Sequence, residues 1–165
     1  GGLHFQGHGG FDFAHADWES LSDAACADHF SRYYRDLTAM AETGLFQIAA
    51  HPDLIKLFRK DTFAAWIEKP EAAEAVSVAL AAMKKNGMAL EISSAAIRKG
   101  LGEPYPCSRV MALARDMELP VSFGSDAHAV NDVAFGFDAL AAYAREYGFA
   151  HSAVFESRVM HLRPF

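Results

Sequence analysis

Pro120-Val121-Ser122-Phe123-Gly124-Ser125-Asp126-Ala127-His128 runs from a short, largely apolar segment through a glycine into an acid and an imidazole. A run of that length, bounded by Pro and Gly, reads as a short buried strand. In parallel α/β folds the groups that meet ligands stand at the carboxyl ends of strands, where loops lie over a rigid base. The stretch therefore predicts a parallel sheet and a polar site at its mouth.

Working outward, the same alternation recurs. Helical spacing of Leu21, Phe30, Tyr33, Tyr34, Leu37 and Met40 predicts a helix over 20–42, stopped at Thr43-Gly44 and followed by a strand over 45–50. Pro70 and Gly87 bracket a second helix, over 70–86, and Met88-Ala89-Leu90-Glu91-Ile92-Ser93 is the next strand. Helices over 107–118 and 132–147 flank the 120–124 strand, and the tail around 153–155 and 159–162 has β character. Short apolar strands alternating with helices mean a parallel sheet with outer helices. No internal repeat or linker divides the chain, so 1–165 reads as a single α/β domain.

Composition removes several function classes. With 52% hydrophobic residues and thirteen Phe, disorder is excluded. The net charge of −6 and the lack of a basic run argue against a nucleic-acid partner. No apolar stretch reaches the roughly 18 residues of a membrane span. Cys26 and Cys107 are the only cysteines and form no metal clip or disulfide framework, which suits a reducing, cytoplasmic setting.

Ionisable groups fall at several strand ends: His51 and Asp53 after one, Asp126 and His128 after another, and His4 after an N-terminal segment that reads as the end of a strand. Imidazole with carboxylate is a ligand set for zinc, manganese or iron. The plainer alternatives are a solvated His51-Pro52-Asp53 turn and an Asp126 that caps a helix beside a surface His128. Asp53 is expected to orient His51 or a neighbouring loop, Glu91 to be a buried structural carboxylate or to support the site, and Lys56 to be either near a bound anion or in solvent. His8 and His15 lie in a Gly-rich loop able to cover the mouth, and Trp18 and Trp66 could flank it. His29, His151 and His161 read as surface or packing residues, and Phe135, Phe137, Leu140, Tyr143 and Ala144 as a core stripe.

Gly124-Ser125-Asp126-Ala127-His128 resembles the C-terminal metal motif of the PHP (polymerase and histidinol phosphatase) superfamily, and most closely that of its histidinol-phosphatases. His51-Pro52-Asp53-Leu54-Ile55-Lys56 resembles the family's Gly-His-x-Asp-Leu segment, with Ala50 in place of Gly. The stretches Leu90 to Lys99 and Glu103-Pro104-Tyr105-Pro106 resemble the segment after the family's next strand, and Gly2-Leu3-His4-Phe5 its Gly-Ser-Val-His segment. The resemblance covers almost the whole chain in order. It implies part of a distorted (β/α)7 barrel holding two or three divalent metal ions, with His4, His51, Asp126 and His128 as ligands. It also implies that Asp126, His128 and His51 form the catalytic centre and that Arg98 and Tyr105 hold the substrate phosphate. The implied reaction is hydrolysis of L-histidinol phosphate, a small phosphorylated substrate, to histidinol and phosphate in histidine biosynthesis.

The family's opening His-x-His motif and further ligands, which precede the segment matching His4, have no counterpart here. About three strand–helix units are therefore expected to be missing, and the chain reads as the C-terminal portion of a longer protein. Two other functions remain open: a superfamily phosphoesterase acting on another small phosphate or nucleotide, and a non-catalytic module.

Overall fold

The computed structural model describes residues 1–7 and 9–165; His8, one of the two expected loop histidines, lies outside them. A short hairpin, β1 (Phe5–Gln6) and β2 (Gly9–Gly10), opens the chain and leads to α1 (Ala16–Glu19). The long helix α2 (Asp23–Glu42) begins where Ser22 Oγ accepts the Ala25 N–H at 3.2 Å, a cap that satisfies an otherwise free donor. Its Phe30, Tyr33, Leu37 and Ala41 recur at three- and four-residue spacing and are all fully buried. They pack with Val76, Ala79, Leu80 and Met83 of α4 (Pro70–Lys85) in one apolar cluster. Pro70 at the first turn, Lys84 and Lys85 in the last, and Gly87 at φ 65° explain where that helix starts and stops.

Three helices lie outside the pattern: the four-residue α1 and Ala95–Arg98, and the longer α3 (Lys60–Ile67), which buries Phe63, Trp66 and Ile67. Trp66 stacks on Tyr34 with ring centroids 5.7 Å apart. Trp18 is likewise buried, its Nε1–H donating to the Phe11 carbonyl at 2.8 Å. Both tryptophans thus belong to the core rather than flanking the mouth. Their indole area is large enough that burial outweighs exposure once neighbouring aromatic rings are available.

The main sheet has five strands in the order β3 (Ile48–Ala49), β4 (Ala89–Ser93), β5 (Val121–Gly124), β6 (His151–Glu156) and β7 (Val159–Pro164). The first four run parallel and β7 returns antiparallel to β6. Ala49, Leu90, Ile92 and Val121 join the apolar cluster with the helices. By strand alternation Glu91 and its register partner Ser122, together with Gly124, share the other face. Gly1 extends the sheet beyond β3: its nitrogen donates to the Ile48 carbonyl at 2.6 Å and its own carbonyl accepts the Ala50 N–H at 2.8 Å. That is a parallel bridge to Ala49, and it sets His4 beside the carboxyl end of β3. Among the described residues the sheet is open, with no pairing of β7 to β3, so a closed barrel is not present.

Between strands lie α5 (Ala95–Arg98), α6 (Ser108–Asp116) and α7 (Phe137–Glu146). The last helix starts five residues later than its pattern suggests, because Gly136 takes a left-handed φ of 67° and Val130–Asp132 forms a separate single turn. As a result Leu140 and Ala144 are core, whereas Phe135 and Phe137 are exposed. Among the described residues no helix is long and apolar enough to cross a membrane.

Candidate functional site

The carboxyl ends of β3, β4 and β5 bring the expected polar residues to one side of the sheet. His4 Nδ1–H donates to Asp12 Oδ2 at 2.8 Å, which fixes its tautomer and leaves Nε2 as the free lone-pair atom. The His4 ring meets that of His51 edge-on, with centroids 5.1 Å apart. Gly2 explains how the rings come so close: a Cβ there would stand 2.7 Å from His51 Cε1 and 3.4 Å from His4 Nε2. His51 is only 4% exposed, has a left-handed φ of 30°, and its Nδ1 is buried without a partner among the described residues. Burial lowers its pKa to about 4, with His4 and Lys99 adding to the effect and Asp126 opposing it. The ring is therefore neutral at pH 7, and its lone pair is available.

Glu91 holds this arrangement from β4. Its Oε2 accepts the His51 backbone N–H at 2.8 Å, and its other oxygen fills the space that any side chain at Gly124 would need. Burial raises the Glu91 pKa, the His51 N–H counteracts it, and Asp126 raises it further. Glu91 is thus a support for the site.

Beyond Gly124 the chain turns through Asp126, again at a left-handed φ of 49°. Arg98 holds this turn: Nη1 donates to the Ser125 carbonyl at 2.9 Å, Nη2 to the Asp126 carbonyl at 2.8 Å, and Nε lies 3.6 Å from Asp132 Oδ2. The same Asp132 oxygen accepts the His128 N–H at 3.3 Å, and His128 Nδ1–H donates to the Asp126 carbonyl at 2.7 Å. His128 has a side chain 77% exposed, with Nε2 left open to solvent. Lys99 Nζ stands 3.6 Å from Asp126 Oδ2. The expectation that Arg98 presents a free fork to a phosphate is not met by this geometry, because both its terminal nitrogens serve the loop backbone.

Tyr105 is fully buried and pairs with Ser93 through an isolated antiparallel bridge. Lys56 Nζ lies 5.3 Å and Lys99 Nζ 5.9 Å from its ring centroid, and the His51 ring lies 6.3 Å away. Burial, with Asp53, Asp126 and Asp12 nearby, pushes its phenol pKa upward, so the hydroxyl stays protonated and can donate. Of its two expected roles Asp53 takes the second, holding the neighbouring loop that ends at Cys107 rather than the His51 ring. Its Oδ2 accepts the Cys107 N–H at 2.7 Å and pairs with Lys56 Nζ at 2.9 Å, and Lys56 also reaches Glu103 at 3.2 Å. A carboxylate this deeply buried needs a counter-ion, and Lys56 lies one helical turn away. Lys56 is therefore neither solvated nor free for a ligand.

Among the lesser candidates, His29 Nδ1 bonds Gln6 Oε1 at 2.7 Å and His15 Nδ1 bonds Glu19 at 2.9 Å, both away from the mouth. Asp12, Lys99 and Asp132 were not singled out from the sequence for these roles; single charged loop residues carry no periodic signal.

These donors suit a divalent cation in kind: an oriented imidazole, a buried neutral imidazole with an unpartnered nitrogen, and a carboxylate beyond the end of β5, two strands away in the sheet. Among the described residues, no three His, Cys, Asp or Glu side chains converge closely enough to hold an ion by themselves.

No family model matches the chain. It is 30% identical over 139 residues to a protein of Deinococcus radiodurans named "Probable histidinol-phosphatase", covering 83% of this chain and 49% of that protein. It is 28% identical over 115 residues to the "Histidinol-phosphatase" of Bacillus subtilis, covering 67% of this chain and 42% of the relative. A crystal structure from Listeria monocytogenes described as a "putative histidinol phosphatase" superposes with a TM-score of 0.63 at 26% identity, over 84% of this chain and 56% of that one. The chain thus spans about half the length of the curated relatives it matches. Over most of its own length it is similar to histidinol-phosphatase-like hydrolases.

Proposed function

We propose that this chain contributes to a metal-dependent phosphomonoesterase that hydrolyses L-histidinol phosphate, forming the C-terminal portion of a PHP-type domain. The observation that carries the reading is the edge-on His4–His51 pair, with His4 turned by Asp12, in a chain whose curated relatives are named histidinol-phosphatases. His4, His51, Asp126 and His128 would hold divalent cations such as zinc, manganese or iron, with the balance of the ligands supplied from outside this stretch. When bound, such ions lower the pKa of water from about 15.7 toward 7 and neutralise phosphoryl charge.

The chain's own residues prepare that chemistry. Asp12 presents His4 Nε2, and burial keeps His51 unprotonated at neutral pH. Glu91 fixes the His51 backbone, and Arg98 with Asp132 fixes the turn carrying Asp126 and His128. The Tyr105 hydroxyl, buried without a partner among the described residues, is a donor available to a phosphoryl oxygen.

The test is phosphate release from histidinol phosphate by the protein supplied with manganese or zinc, with and without chelator. The reading expects release that chelator abolishes and that Asp126→Ala and His51→Ala reduce by at least 100-fold. Release of phosphate from other small esters in preference to histidinol phosphate would transfer the site to a different substrate. No release from any ester by the full-length protein would favour a non-catalytic module.

A further inference from the structure

Of the two paired imidazoles His4 has the less enclosed ring: its side chain is 40% exposed, whereas His51 is buried. Its place is therefore set by what fixes the chain on either side. Before it, the Gly1 bridge to Ala49 ties the chain to the sheet. After it, the chain turns through the β1–β2 hairpin and returns to Asp12. The returning end is anchored by Phe11, which is buried, meets the Tyr33 ring with centroids 5.4 Å apart, and accepts the Trp18 Nε1–H on its carbonyl. The outgoing end needs an anchor of its own, because Gly7, Gly9 and Gly10 bring no side chain and Phe5 is 61% exposed.

Gln6 supplies that anchor. It is buried, and among the described residues of 5–11 it alone forms a side-chain hydrogen bond. Its Nε2 donates to the His29 carbonyl at 2.9 Å. A carbonyl can only accept, so the amide orientation is fixed and Oε1 faces His29 Nδ1 at 2.7 Å, which must then carry the proton. The His29 ring in turn lies against that of Trp18, with centroids 5.5 Å apart. A cleft of about 170 Å³ is lined by Gln6, Gly9 and Gly10 of the hairpin and by Trp18, Leu21 and His29 of the helical side. Close packing therefore does not hold the hairpin there. The reciprocal Gln6–His29 pair is its polar tie to α2, and removing either partner leaves buried amide atoms unsatisfied.

We infer that Gln6 and His29 are positioning residues for His4: the pair holds the strand leaving His4 against α2, which keeps the His4 Nδ1–H on Asp12 and leaves Nε2 for a cation. Both act through His4 rather than on a ligand. The functional weight of the pair rests on the metal-dependent reading of His4; the tie itself rests on the geometry.

The experiment compares the wild-type protein with Gln6→Met, His29→Phe and His29→Asn. Met keeps the length of Gln without its amide, and Phe keeps a ring against Trp18 without its donor. Asn returns an N–H close to where Nδ1–H stood, since both nitrogens are attached at Cγ. In metal-free protein at a pH of about 8.5, where free imidazole is neutral, the ring nitrogen shifts of His4 report its tautomer. Wild type should hold the Nδ1–H form, and Gln6→Met and His29→Phe should move part of the population to the Nε2–H form. Hydrogen exchange through 4–12 should quicken roughly 10-fold in both, with α4 unchanged. Zinc, with free metal set by a competing chelator, should bind about 10-fold more weakly, the lower end of the loss on removing a ligand's hydrogen-bond partner. His29→Asn should recover part of each effect. A His4 ring that stays wholly Nδ1–H in both variants, or exchange that quickens equally in α4, overturns the inference. The two readings fail separately: a tautomer shift in protein that binds no zinc removes the metal reading and supports the tie, whereas zinc bound equally by all four proteins with His4 unmoved removes only the role of Gln6 and His29.

Discussion

The Glu91 carboxylate accepts the backbone N–H of His51 at 2.8 Å and so ties the end of β3 to the middle of β4. The bond fits only because Gly124, two residues beyond Glu91's register partner Ser122, offers no side chain where the second carboxylate oxygen lies. Three strands therefore meet at one carboxylate. His51, at a left-handed φ, depends on it for its place.

Gly124→Ala tests this directly. The added methyl would collide with the Glu91 carboxylate, and overpacking of this kind costs about 1–3 kcal/mol. In a Glu91→Ala background the obstacle is gone, so the same change should cost less than about 0.5 kcal/mol, the size of an ordinary neutral substitution. Urea denaturation of the four proteins gives the coupling. Equal costs in both backgrounds would contradict the arrangement.

A second expectation concerns Asp12. By accepting the His4 Nδ1–H it dictates which nitrogen of His4 can ligate. Asp12→Ala frees the ring to rotate and to change tautomer, and removing such partners costs about 10–100-fold in metal affinity. Titration of manganese or zinc, with free metal fixed by a competing chelator, checks this. Asp12→Asn should fall between, since an amide oxygen still accepts but carries no charge.

Much of this architecture is readable from sequence. The strands ending at Ser93 and Gly124 were legible because short apolar runs between Gly or Pro leave few alternatives, and the helix from Pro70 carried both its start and stop signals. Helix α3 was not, since its eight residues bury only three and the flanking chain gives no cap. At the site, His4, His51, Asp126 and His128 stood out through position at strand ends. The partners of Arg98 and Asp53 were hidden for one reason: Arg98 bonds Ser125 and Asp126, 27 and 28 residues on, and Asp53 bonds Cys107, 54 residues on. No local period encodes such contacts.

The buried Asp53–Lys56 pair yields a third prediction. Lys56→Met removes the counter-ion of a carboxylate with no exposure, and breaking such a pair from one side costs about 3–5 kcal/mol. Replacing both, as Asp53→Asn with Lys56→Met, should recover part of the loss because no charge is then stranded. Thermal unfolding of the single and double variants separates these outcomes, and a single variant as stable as wild type would mean the pair is not buried in solution.

Acid supplies the last test, through His51. Burial holds its folded pKa at about 4, against 6.5 for an unhindered imidazole. Between those values the unfolded chain binds a proton that the folded chain refuses, so stability must fall as pH drops from 6.5 toward 4 and level off below that. The gap of about 2.5 units corresponds to about 3 kcal/mol at the bottom of the window. His51→Gln keeps much of the side-chain volume but cannot titrate, so it should lack this share of the acid sensitivity while retaining the contribution of the carboxylates. Denaturant midpoints measured with chelator at pH 7, 5.5 and 4.5 provide the comparison. Parallel curves for the two proteins across that range would mean the His51 ring is solvated and free to protonate, and with it the buried lone pair on which the metal proposal relies would be gone.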